Sequence, residues 1–205
     1  MEVIIDHQRT FRFPEEPGDV LSAVAMVSES LRKKGRAILS LRVDDVAVSP
    51  EDLLPTLENK PLSAVNLLTI TSEDITTLVT NSLAELERVL PELPEVCHRL
   101  AEVFQGERPE SGYEPFQQLA MIWKTIKERE IQVLNALDLG VDQLVVDGVP
   151  IAQMHEELNR YVEEAAEALK AGDCVLLGDL LEYELAPRAE TEGAIVALLR
   201  SKVGG

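Results

Sequence analysis

Two kinds of hydrophobic spacing follow one another along the chain, and they change over near Ser72. Before it, short runs rich in Val, Ile, Leu and Thr alternate with turn residues around one helical segment. Glu2–Ile5 and Thr10–Phe13 read as strands, joined by Asp6-His7-Gln8-Arg9 in a connection short enough for a hairpin. Asp19 is placed to cap a helix in which Val20, Leu21, Val24, Val27 and Leu31 share one face. Lys33 and Lys34 suit the negative end of its dipole, and Gly35 supplies the left-handed stop. Residues 37–43 alternate, with Ala37, Leu39, Leu41 and Val43 on one side and Ile38, Ser40 and Arg42 on the other. Asp44-Asp45 predicts a tight turn into a short strand at Val46-Ala47-Val48. Ser49-Pro50-Glu51-Asp52-Leu53 predicts a cap and one helical turn, and residues 65–70 a last strand.

After Ser72 the spacing is helical almost throughout. Thr71 or Ser72 precedes Glu73 and Asp74, a helix start carried on by Ile75, Leu78, Val79, Leu83, Leu86 and Leu90. Pro91 and Pro94 break or kink it. A second segment runs from about Glu95 to Phe104, and a third from about Tyr113 to Leu137 with Phe116, Leu119, Trp123, Ile126 and Leu134. Residues 141–149 fit either a helical turn or a short strand ending at Asp147-Gly148. Pro150 opens a fourth helix stopped by Gly172, and Asp173 caps a fifth, which Pro187 bends. Short connections between such helices favour a mostly antiparallel bundle. The domain reading is therefore 1–72 and 73–205, in the α+β class.

Charge sharpens the division. The formal net charge is −18; residues 1–72 hold 8 basic and 11 acidic residues, which leaves −15 on the remainder. Such a surface repels phosphate backbones and anionic lipid, so nucleic acid and membrane are poor partners, and it keeps the chain in solution. Aromatic residues are only 4%, so packing rests on Leu, Val, Ile and Ala. Cys97 and Cys174 make no disulfide framework. Glu2, Asp6, His7 and Arg9 interrupt any leader-like run, and no apolar run is long enough for a bilayer. These features point to a cytoplasmic setting.

The order of strand, strand, helix, strand, short strand, turn and strand, carried by Val3–Phe13, Asp19–Lys34, the run Ile38–Asp45 and the strand at 65–70, resembles the β-grasp, or ubiquitin-like, fold. The resemblance covers about a third of the chain and implies a compact recognition or scaffold module. The run Leu180-Leu181-Glu182-Tyr183-Glu184-Leu185-Ala186-Pro187 is similar to runs in uncharacterised bacterial helical proteins.

Candidate chemistry is sparse. Glu95 and His98 stand three apart, the Glu-x-x-His spacing of helical di-iron sites, but no second copy accompanies them. Asp179 and Glu182, one turn apart, are the remaining candidate metal ligands. The bland reading of those acids is a solvated face, with Arg188 offsetting Glu184. Cys97 and His98 are adjacent and point about 100° apart on a helix, so they form no nucleophile–base couple. There is no Gly-x-Ser-x-Gly elbow and no glycine-rich phosphate loop. Leu181, Tyr183 and Leu185 are the candidate interaction residues, because a tyrosine at a helix rim anchors contacts. The terminal Gly204-Gly205 matches ubiquitin-like carriers, but at the end opposite the β-grasp-like segment.

The sequence thus favours a non-catalytic interaction or scaffold protein with no cofactor, acting through apolar helix faces on a protein partner or on its own copies as a homo-oligomer. The competing reading is a metal-dependent enzyme using Glu95, His98, Asp179 and Glu182.

Overall fold

The computed structural model describes residues 1–7, 9–50 and 52–203. Gln8 of the expected hairpin, Glu51 of the expected helical turn and the terminal Gly204 and Gly205 lie outside the described residues. The chain divides into two compact units, Met1–Leu78 and Val79–Gly205.

In the first unit, β1 (Glu2–Ile5) pairs antiparallel with β2 (Arg9–Thr10), and Asp6 and His7 take positive φ at the turn. The second strand is shorter than the expected Thr10–Phe13. Phe11 and Phe13 instead meet edge to face at 5.1 Å and pack partly buried against the core. The Asp19 carboxylate accepts the Ser22 amide at 2.7 Å and starts α1 (Val20–Arg32). β3 (Arg36–Val43) turns into β4 (Val46–Val48) through Asp44-Asp45, whose φ values of 46° and 68° make a two-residue loop of type I′. A short helix, α2 (Leu53–Leu57), precedes β5 (Leu67–Asp74). The strands lie in the order β2-β1-β5-β3-β4, with β1 parallel and β3 antiparallel to β5. Val20, Val24, Val27 and Leu31 of α1 join Val3, Ile5, Leu41, Val43, Leu68 and Ile70 of the sheet in one buried cluster.

Two departures from the hydrophobic pattern have local causes. A bulge between Ile38 and Ser40 sets one extra residue of β3 against β5. It turns Ile38 toward the core and leaves Leu39 60% exposed, against the simple alternation that grouped Leu39 with Leu41. Ser72, expected at a helix start, belongs to β5. Its amide donates to Asp6 Oδ1 at 2.7 Å, its hydroxyl to Asp6 Oδ2 at 2.8 Å, and Arg36 Nη2 donates to its carbonyl at 2.6 Å. These bonds extend the strand to Asp74, whose carboxylate accepts the Thr77 amide at 3.0 Å.

The helical unit is built from α3 (Ile75–Val89, of which Val79 onward belongs to it), α4 (Leu93–Phe104), α5 (Tyr113–Ala136), α6 (Ile151–Ala171), α7 (Cys174–Leu180) and α8 (Ala186–Ser201). Pro91 lies in a tight 3-10 turn at Leu90–Glu92, and Pro94 opens α4. Residues 145–150 form a small hairpin, β6 (Val145–Val146) and β7 (Val149–Pro150), turned at Asp147-Gly148 with φ of 51° and 85°. Gly172 closes α6 in the left-handed conformation, and the Asp173 carboxylate accepts the Leu176 amide at 3.0 Å to start α7. Between α7 and α8 the helix widens into a π-helical turn over Leu181–Leu185, and Pro187 enters the first turn of α8. The whole is an α+β architecture with an N-terminal mixed sheet and a C-terminal helical bundle.

Candidate functional site

Three features of the helical unit bear on function: an apolar groove, the π-helical turn, and a cluster of buried charges.

The groove lies between α3 and α5 and encloses about 290 Å³. Leu86 and Ile126, both buried, form its floor. Val89, Met121 and Ile122 line it while remaining exposed, Met121 at 67%. Helical spacing explains the pattern: Ile122 and Ile126 stand four apart on α5, with Met121 and Thr125 beside them on the outward edge. Arg88 and Arg129 border the groove, and Arg129 pairs with Glu85.

The π-helical turn holds several residues singled out from the sequence. Leu181 and Leu185 are buried, and the turn packs on α4, α6 and α8. Tyr183 stands 69% exposed. Glu182 accepts a hydrogen bond from His98 Nδ1 of α4 at 2.9 Å, which holds the imidazole above its ordinary value. Glu95 is exposed in the first turn of α4, and Asp179 accepts from Gln105 Nε2 at 3.4 Å. Of the four candidate ligands, His98 and Glu182 form a surface ion pair, Glu95 adds its charge to the field at His98, and Asp179 bonds Gln105 instead. Among the described residues no group of three or more His, Cys, Asp or Glu side chains is arranged to hold a metal ion, which argues against the metal-dependent enzyme. Cys97 is buried, and burial pushes its thiol up to about 12. Glu184 accepts from the Tyr161 hydroxyl and raises that phenol.

The buried charges come from three helices. Lys127 Nζ of α5 donates to Glu130 Oε2 at 3.0 Å and to both oxygens of Glu192 of α8 at 2.9 Å. His155 of α6 meets Glu130 Oε2 at 3.0 Å through Nε2, and Arg188 Nε lies 3.4 Å from Glu192 Oε1. Glu130 and Glu192 are wholly buried. Burial, then the charge of Glu130, pushes the Glu192 carboxyl up to about 7 against the pull of Lys127. For Glu130 burial acts upward too, but the hydrogen bond from His155 and the Lys127 charge outweigh it and hold the group low. Glu192 therefore takes up a proton at a higher pH than an ordinary carboxyl does, while Glu130 resists protonation. Among the described residues Arg188 Nη2, Glu130 Oε1 and Trp123 Nε1 find no hydrogen-bond partner although buried.

This cluster was missed in the sequence, yet a signal was there. Lys127 and Glu130 continue the apolar stripe of Trp123, Ile126, Val133 and Leu134, and Arg188 and Glu192 continue that of Leu185, Ala189, Ile195 and Val196. Charges at core positions of a helical period mark residues that must find each other.

Among the described residues no helix is long and apolar enough to cross a membrane. Fold and site define an α+β protein with a helical bundle that exposes several apolar side chains on its helices. The chain belongs to the family described as Domain of unknown function (DUF8042), whose model matches residues 81–191. The matched segment holds the groove, the His98–Glu182 pair and all of the buried cluster except Glu192. No curated protein and no solved structure matches the chain.

Proposed function

We propose that this protein is a non-catalytic interaction protein whose α3–α5 groove receives a segment of polypeptide. The observation that carries this reading is the exposed apolar set Val89, Met121 and Ile122 over a buried floor, a shape suited to one face of an amphipathic helix. The N-terminal unit is read as a β-grasp-like scaffold. Its strand order, its parallel β1–β5 pair, its two edge hairpins and the single helix packed on the sheet support that assignment. Two free cysteines support a reducing, cytoplasmic setting.

A photo-crosslinking side chain at Met121, in the full chain and in cells, tests the proposal. The expected result is a discrete adduct with another polypeptide, absent when the same group replaces Glu167, an exposed acid of α6. Absence of any polypeptide adduct from Met121 overturns it.

A further inference from the structure

We propose that the occupant of the α3–α5 groove is the segment Asp173–Leu185 of a second copy of this chain, so that copies associate head to tail. The inference rests on the interaction reading above and names the partner.

The segment has the form the groove needs. Val175, Leu176 and Tyr183 project from it at 67%, 45% and 69% exposure, while Leu181 and Leu185 fix it from beneath. Val175 and Leu176 stand on α7 and Tyr183 on the π-helical turn that follows it, so the segment offers apolar side chains from two successive turns.

Charge gives the direction. The segment carries Asp173, Asp179, Glu182 and Glu184 and no Lys or Arg. The groove is bordered by Arg88 and Arg129 against the one acid Glu85, in a helical region that is otherwise strongly negative. Glu85 is taken up by Arg129, which leaves Arg88 to face an incoming carboxylate. Groove on groove would oppose Arg88 with its own copy, and segment on segment would oppose four acids with four. Only groove on segment joins unlike charges. Such a contact is heterologous: a pair of copies still has one groove and one segment unfilled, so assembly continues beyond two chains into a ring or an open chain.

Light scattering on the full chain across a dilution series tests this, with Met121→Asp disabling the groove and Tyr183→Asp disabling the segment. Both positions are exposed, and circular dichroism checks that each variant folds. Wild-type mass is expected to rise with concentration past two chains. Each variant alone is expected to stay at 22.7 kDa. Their equimolar mixture is expected to give a species of two chains, because the intact segment of one fits the intact groove of the other. Arg88→Glu is expected to weaken assembly about tenfold or more, and Asp179→Arg in the same chain to restore it. A wild type that stays monomeric, or a variant mixture that stays monomeric, overturns the proposal. If the wild type is monomeric but the Met121 crosslinker captures a different polypeptide, the interaction reading stands and only the self-association fails; if it captures none, both fail.

Discussion

Both carboxylate oxygens of Glu192 stand 2.9 Å from Lys127 Nζ, in a part of the bundle where Glu192 is wholly buried. The contact ties α8 to α5 through a charge held away from water. Such a pair is costly to break on one side and sensitive to protons.

The proton dependence has a definite sign. Glu192 holds its proton to about pH 7 in the fold, against an ordinary value of 4.5. Its contribution is complete below pH 4.5 and is lost as pH rises through 7. Glu130, held low, works in the opposite sense and loses its contribution in acid. Urea unfolding is expected to show stability falling between pH 5 and 7.5 by at most about 3 kcal/mol from Glu192. Glu192→Gln, which cannot ionise, should flatten that fall, and an unchanged slope would refute the assignment.

Lys127→Met removes the cation that faces both carboxylates. The expected loss is about 3 kcal/mol, since it strands a buried charge or forces its protonation. Adding Glu192→Leu to the same chain should not recover it, because Arg188 then loses its carboxylate while Glu130 still lacks Lys127. Denaturant midpoints of the two variants give the comparison.

The two thiols should react unequally. Cys97 is wholly buried with its thiol pushed up to about 12, whereas Cys174 is partly exposed. An aromatic disulfide reagent at pH 8 is expected to titrate one thiol rapidly in the native protein and the second only in denaturant. Rapid reaction of both in the native state would contradict the packing around Cys97.

Gly112 leaves room for Phe104. A Cβ built there would lie 2.8 Å from the tip of the buried Phe104 ring. Gly112→Ala is expected to cost about 1–3 kcal/mol through displacement of that ring, and alanine is also the poorer residue at this helix N-cap. Gly193→Ala, inside α8, serves as the control, because no described atom lies within 4 Å of its Cβ position and the helix-propensity gain should stabilise. Thermal unfolding of both variants separates packing from propensity.

The sequence made the large divisions readable because they rest on local periodicity. Asp19, Gly172 and Asp173 signalled helix ends by side-chain chemistry, and Asp44-Asp45 signalled a hairpin. What escaped depends on distant partners. Ser72 looks like a helix start until Asp6 and Arg36, far away in sequence, claim it for the sheet. Leu39 looks like a core residue until the bulge in β3 turns it outward. Of the four acid and histidine residues singled out from the sequence, His98 and Glu182 do meet, but as a surface pair. The charges that do converge in the interior sit in line with the apolar stripes of α5 and α8, but which of them meet is set by how the helices pack.

The wide turn at Leu181–Leu185 has a geometric result downstream. It accommodates one residue more than an α-helical revolution, so all that follows is rotated by about 100° relative to an uninterrupted coil. That rotation is what aims Arg188 and Glu192 inward at Lys127 while Glu190 stays in solvent. Excising a single residue from the turn would re-index α8, carrying its two core ionic groups off their mates without altering either of them.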